Sequence, residues 1–210
     1  LSKETLQSIF SQVLERGMHA HDYIWRSQAS LLAKISVSLF NRLIGSLKPT
    51  PTKSHYRLNV RHIAEVIQGL LRLPPPVSAK TPDKKALMYK LWIHECRRGF
   101  SDRLICEEDE EVFERAMFDQ LEAVQGIDYD KEDYDLSNSQ LLFSNFTDPV
   151  ISLDYNIITD RDKFVKILEE EMEKYNALFP RAKFVGIQMF EYMIEHLCRF
   201  TRILSQKKGH

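Results

Sequence analysis

Apolar residues recur along this chain at intervals of three and four, and this spacing predicts an all-α protein. Only seven glycines occur in 210 residues, so the helical runs are seldom interrupted. Ser2 is placed to cap a first helix over about residues 3–16, with Leu6, Ile9, Phe10, Val13 and Leu14 inward and Gly17 at its end. Asp22 is expected to cap a long second helix reaching about residue 47. Its inner stripe reads Ile24, Gln28, Leu31, Leu32, Ile35, Leu39 and Leu43. Pro49 and Pro51 stop it, because proline lacks the N–H a helix needs and restricts the residue before it.

Asn59 opens a third helix carrying Val60, Ile63, Val66, Ile67, Leu70 and Leu71, and Pro74-Pro75-Pro76 imposes an extended connection after it. A fourth helix is predicted over about 83–101, burying Leu87, Leu91, Trp92 and Phe100. A fifth is predicted over about 109–123, using Val112, Phe113, Ala116, Met117 and Leu121. Residues 126–158 carry no helical period and read as a connection between two structural units, with one short strand at Leu141–Phe143 or Val150–Ile151. Thr159 and Asp162 resemble a capping box for a sixth helix over about 160–176. The last helix, about 184–205, places Ile187, Phe190, Ile194, Leu197 and Leu204 on one face.

Composition narrows the function classes. Apolar residues make up 43% and charged residues 28%, with a net charge of -1. That balance provides no broad positive field for nucleic acid. No apolar run reaches the ~20 residues of a membrane span, and no signal-peptide pattern is present. The start at Leu1, almost inside a helix, reads as a segment of a longer chain. Cys96, Cys106 and Cys198 are odd in number and widely spaced, which fits a reducing setting rather than a disulfide framework.

Several strings resemble sites and fall short of them. His94-Glu95-Cys96-Arg97-Arg98 begins like a zinc-protease helix, but position 98 is Arg where a second His is required. His94, Cys96 and Cys106 also lack the paired spacing of structural zinc, so packing or capping roles are expected for them. Asp128, Asp130 and Glu132 alternate like the start of a calcium loop, but Asp133 and Ser139 stand where Gly and a bidentate Glu are needed. The run Glu107–Glu111 suits a helix N-terminus, where negative charge is favoured. No G-x-x-x-x-G-K-[ST] loop occurs, and no nucleophile–base arrangement follows from spacing. On its residues alone, Arg61 reads as a surface arginine pairing with Glu65 one turn on.

A set of ordered strings changes that reading. Pro49-Thr50-Pro51-Thr52-Lys53-Ser54-His55-Tyr56, Asn59-Val60-Arg61, Gln68-Gly69-Leu70, Leu91-Trp92-Ile93-His94-Glu95 and Phe100-Ser101-Asp102-Arg103 together resemble the third AAA+ module of dynein heavy chains. Tyr175-Asn176, Phe190, Glu195-His196-Leu197, Arg199 and Arg202-Ile203-Leu204-Ser205-Gln206-Lys207-Lys208-Gly209 resemble the lead-in to the fourth module. The resemblance spans essentially the whole chain, is weakest over 124–158, and leans toward the axonemal inner-arm branch.

The resemblance implies a helical lid subdomain over residues 18–123, preceded at 1–17 by the last helix of the third large subdomain. Residues 124–210 would be the linker and the start of the fourth large subdomain, with the loop before His210 bordering an adenine pocket. Arg61 would be the lid's phosphate sensor, and His62 departs from the Asp that the family pattern carries there, which leaves a helix-start contact open. The parent would be an ATP-driven, minus-end-directed microtubule motor, holding ATP or ADP with Mg2+ in its ring. Its partners would be the neighbouring AAA+ modules, microtubules and dynein intermediate and light chains, in the cytoskeleton of the ciliary axoneme. The chain alone is expected to bind no cofactor and to be neither an ATPase nor a motor. The competing reading is an independent helical scaffold that receives a partner helix in a groove.

Overall fold

The structure, a computed structural model, describes residues 1–21, 23–73, 84–123, 141–147, 154–182 and 187–206. It is mainly helical, as the apolar spacing predicts, and divides into two compact units, Leu1–Ser139 and Gln140–His210.

In the first unit, α1 (Lys3–Gly17) is capped by Ser2, whose Oγ accepts the Thr5 N–H at 3.2 Å. It packs chiefly against α2 (Tyr23–Ser46) through Leu6, Phe10 and Leu14. Ile9 and Val13, expected inward, are exposed. A single i, i+4 row meets α2, and the flanking positions lie outside it. The stripe on α2 is also broader than predicted. Trp25, Ala29, Leu32, Ala33, Ile35, Ser36, Val37, Leu39, Phe40 and Leu43 are buried, whereas Ile24 is exposed. Helices α3 (Val60–Leu70), α4 (Lys84–Cys96) and α5 (Glu107–Glu122) all pack on α2, and together they bury a wide arc of it. Asp22, the expected cap, lies outside the described residues.

α3 (Val60–Leu70) buries Ile63, Val66, Ile67 and Leu70, and Val60 on its first turn is exposed. The predicted fourth helix is α4 (Lys84–Cys96) followed by a π-helical turn at Arg97–Ser101. A π turn accommodates one extra residue and rotates the side chains beyond it about the helix axis. Here it sets Gly99 and Phe100 into the core beside α3. α5 (Glu107–Glu122) starts two residues earlier than predicted, so four acidic residues fall in its first turn, where the helix dipole favours them.

The second unit is built on a two-residue antiparallel pair, β1 (Phe143–Ser144) and β2 (Asn156–Ile157), with Phe143 opposite Ile157. The first of the two predicted strand positions is thus used in part, and Val150–Ile151 lies outside the described residues. α6 (Arg161–Leu178) is capped by Asp160, which accepts from the Lys163 N–H at 2.9 Å. The cap expected from the sequence is Thr159. The carboxylate one residue on reaches the N3 amide instead, and the helix starts accordingly.

α7 (Glu191–Leu204) begins seven residues later than predicted, because Phe190 is in extended conformation. It turns Ile194, Cys198 and Arg202 inward and leaves Phe190 and Leu204 exposed. Leu142, Phe164, Ile194 and Cys198 form this unit's core. The buried Arg202 guanidinium lies 5.8 Å from the Tyr155 ring, and Arg161 ties α6 to Glu191 of α7 at 2.6 Å.

Candidate functional site

The turn between α2 and α3 is held by its own backbone and by α5. Pro49 and Pro51 exclude helix, and the Lys53 N–H returns to Thr50 O at 3.0 Å. Tyr56, buried, then closes a second turn onto Lys53 O at 3.1 Å. Three side chains from this turn and from the start of α5 converge on one carboxylate. Asp109 Oδ2 accepts from Tyr56 Oη at 2.8 Å, from Cys106 Sγ at 2.8 Å and from Lys53 Nζ. Tyr56 Oη in turn accepts the Ile105 N–H at 3.0 Å, and His55 Nε2 bonds Arg103 O at 2.9 Å.

The Cys106 and Lys53 hydrogen bonds hold the Asp109 carboxyl down at about 2. The same contacts with Asp109 and Cys106 push the Lys53 ammonium up, and burial pushes the Tyr56 phenol up. Because the Asp109 pKa is lower folded than its ordinary 3.8, this network stabilises the fold fully above about pH 4. That contribution is lost as pH falls toward about 2. Asp109→Asn is expected to cost about 1–3 kcal/mol at neutral pH, because the buried Tyr56 hydroxyl and the half-exposed Lys53 and Cys106 lose a charged acceptor. It should also flatten the fall in urea midpoint between about pH 4 and pH 2 relative to the parent chain.

α3 leaves this turn with its first turn doubly capped. Asn59 Oδ1 accepts the Arg61 N–H at 2.9 Å, and His62 Nδ1 accepts the Asn59 N–H at 3.0 Å. His62 thus completes a capping box in place of the Asp that the family pattern carries there, and the helix-start contact left open by the sequence is made. Burial, then the positive charge of Arg103, draws His62 toward its neutral form, which has the lone pair this contact needs.

Arg61 sits on that first turn with its side chain 84% exposed, and its Nε lies 3.6 Å from Glu65 Oε1. The i, i+4 pairing expected from spacing is present. An exposed pair of this kind is worth only a few tenths of a kcal/mol.

Beneath α3 lies a second polar group with no obvious mark in the sequence. Glu95 is fully buried, and Arg98 Nε meets its Oε2 at 2.9 Å. The Glu95 carboxylate rests against the backbone of Gly69. A Cβ built there would stand 2.1 Å from Glu95 Cδ and 2.2 Å from Oε2. Two separate strings of the sequence, Gln68–Leu70 and Leu91–Glu95, thereby meet in space. Arg97 grips Glu114 of α5 with two parallel bonds at 2.8 and 2.9 Å, so the π turn is fixed on both sides.

The remaining sequence candidates take structural places. Cys96 is buried in the core with its thiol pushed far up by burial, and Cys106 caps α5 by position. Asp128, Asp130 and Glu132 lie outside the described residues. The Lys53–Tyr56–Cys106–Asp109 group is not legible in the sequence, since its members come from segments about fifty residues apart. Of the four, only Lys53 and Tyr56 belong to one of the ordered strings.

Comparison with known proteins shows the family. The family model for the dynein heavy chain, ATPase lid domain, matches residues 6–110, from α1 to the first turn of α5. The chain belongs to the dynein heavy chain family. It is 30% identical to human dynein axonemal heavy chain 6 over 213 aligned positions, covering 100% of this chain and 5% of that protein. Against mouse dynein axonemal heavy chain 1 it is 33% identical over 180, covering 85% of this chain and 4% of that protein. Human dynein axonemal heavy chain 2 is 29% identical over 212, with 100% and 4% covered. The chain therefore spans about a twentieth of the length of the curated relatives it matches.

Proposed function

We propose that this chain supplies the nucleotide lid of the third AAA+ module of a dynein heavy chain, with Arg61 as the residue that senses phosphate. The assignment takes residues 1–17 as the end of that module's large subdomain, 18–123 as its lid, and 124–210 as the link and the start of the fourth module. The observation that carries it is the placement of Arg61. A capped, rigid first turn presents the guanidinium outward, and among the described residues only the weak pairing with Glu65 holds it.

A planar, permanently charged group so placed suits the oxygens of a β- or γ-phosphate, and leaving Glu65 costs it little. Bound ATP with Mg2+ supplies a γ-phosphate that is present before hydrolysis and absent after it. Arg61 would be engaged in one state and released in the other, and α3 would carry the difference into the lid. The relatives named above are axonemal heavy chains. The parent is accordingly read as an ATP-driven, minus-end-directed microtubule motor of the axoneme. Its partners are the adjoining AAA+ modules, the microtubule and the intermediate and light chains. Family membership favours this reading over an independent scaffold.

The test is nucleotide affinity at the third module of the parent heavy chain. Arg61→Ala removes a charge-assisted hydrogen bond worth about 1.5–3 kcal/mol, so binding should weaken by about 10- to 150-fold. Arg61→Lys should recover part of it. Unchanged affinity in both variants, with the fold intact by circular dichroism, would remove Arg61 from the site.

A further inference from the structure

Cys106 differs from the chain's other two cysteines. Cys96 and Cys198 are buried, and burial pushes their thiols up, Cys198 to about 11. Cys106 is half-exposed at the start of α5, and Lys53 Nζ lies 3.0 Å from its Sγ. This is a thiol paired with an amine, each from a different segment, and both reach the same Asp109 oxygen. Being half-exposed, this thiol is open to small oxidants in a way the two buried ones are not. The two segments are also positioned in advance. The turn at Lys53 and the start of α5 are joined by Tyr56 through both Asp109 and Ile105.

We infer that Cys106 and Lys53 form an oxidisable pair that peroxide converts into a covalent link between the α2–α3 turn and the start of α5. In the first step the thiol and one hydrogen peroxide give sulfenic acid and water. Sulfur loses two electrons and the O–O bond is reduced. In the second step Lys53, held as an ammonium by Asp109, first gives a proton to solvent. The neutral amine then attacks sulfur, the S–O bond breaks, and the departing hydroxide leaves as water with a second proton from nitrogen. The product is an S–N bond, and the pair has lost two hydrogens in total. A thiol reductant reverses the link by attacking sulfur and returning the amine.

The link changes more than connectivity. Lys53 loses its charge and keeps one N–H, and Asp109 loses the Cys106 donor and its ion pair, while the turn that precedes α3 becomes tied to α5. Ordinary hydrogen bonds, broken by local opening, are replaced by a bond that such opening leaves intact. The lid's entry turn would therefore be stiffened under peroxide and released by reductant.

The 210-residue chain treated with hydrogen peroxide, then digested and analysed by mass spectrometry, tests this. The expected result is a Lys53–Cys106 cross-linked peptide lighter by two hydrogens, absent after thiol reduction. Cys96 and Cys198 serve as internal controls and stay unmodified at the same dose. Below the lysine pKa the reactive amine fraction grows about tenfold per pH unit, so the yield of link should rise with pH from neutral to mildly alkaline.

Lys53→Arg keeps the cation while removing the amine. Oxidation of Cys106 in that variant should stop at sulfenic acid or proceed to sulfinic acid. Cys106→Ser should show neither product. The inference is overturned if wild type and Lys53→Arg give the same Cys106 products with no cross-link. It is equally overturned if Cys106 proves no more reactive than Cys96 and Cys198. Circular dichroism of each variant confirms that the comparison is between folded chains.

Discussion

Trp92→Ala is expected to destabilise the first unit by about 3–5 kcal/mol, the range for removing a fully buried large aromatic. The Trp92 side chain has no exposed surface, and it lies on α4 against α2. Its Nε1–H donates to Ser36 Oγ at 2.8 Å, and Ser36 donates in turn to Leu32 O at 2.7 Å. The substitution therefore opens a cavity and takes a hydrogen bond from a buried hydroxyl, and both effects have the same sign. Trp92→Phe separates them. It keeps most of the ring's volume and loses the donor, so it should cost about 1–2 kcal/mol. Thermal unfolding followed by near-ultraviolet circular dichroism measures both. At about 2–4 °C per kcal/mol, the alanine variant should melt roughly 6–20 °C below the parent. If both variants melt within a degree or two of the parent, Trp92 does not anchor α4 on α2.

The same residue shows where sequence reading succeeds. Spacing places Trp92, Leu91 and Phe100 inward, and all three are buried. The failures have a physical pattern. Ile9, Val13, Ile24 and Val60 are apolar residues beside the true stripe, and their size suggests an inward place that their position on the helix denies them. Ala29, Ala33 and Ser36 are small, and they are buried because close helix contacts need small residues. The π turn at Arg97–Ser101 leaves no mark in the apolar pattern, because its extra residue lies between two correctly predicted inward positions, Trp92 and Phe100.

For the candidate site the division is similar. Arg61 and its cap at Asn59 are local, within three residues of each other, and both are legible in the chain. The carboxylates that hold the surroundings in place are not. Glu107–Glu111 reads as a run suited to a helix start, and it serves that purpose. Nothing in the run singles out Asp109 as the one residue that takes three donors. Glu95 looks in the sequence like part of a failed zinc motif and is instead buried under α3. Side-chain pairing across fifty residues depends on tertiary packing, and a single sequence carries no signal for it.

Glu95 also governs the prediction that most directly tests how α3 is held. In an ordinary helix interior, Gly→Ala stabilises by about 1 kcal/mol. Gly69→Ala is expected to do the reverse, because its Cβ would fall 2.1 Å from Glu95 Cδ and 2.4 Å from Cγ. Contacts that short cannot stand, so either α3 moves off α4 or the carboxylate moves. The carboxylate is fully buried and paired with Arg98, which makes its displacement costly. Overpacking of this kind costs about 1–3 kcal/mol, and a displaced buried charge adds to it. Subtracting the propensity gain leaves a net loss of up to about 2 kcal/mol from overpacking alone, with the displaced charge added to it. Chemical denaturation at equilibrium would give the value.

The cause is isolated by a double-mutant cycle with Glu95→Ala, which removes the clashing atoms. If steric conflict is the mechanism, Gly69→Ala should cost nothing in the Glu95→Ala background and should recover the propensity gain. A Gly69→Ala penalty that is the same in both backgrounds would place the conflict elsewhere. The position of Arg61 depends on this seat as well, since Gly69 and Arg61 belong to one helix. If α3 moves off α4 in the Gly69 variant, the guanidinium at its first turn shifts with it. With Arg61 as the proposed phosphate sensor, the variant should then lose nucleotide affinity in the parent heavy chain even though Gly69 lies about two helical turns from Arg61.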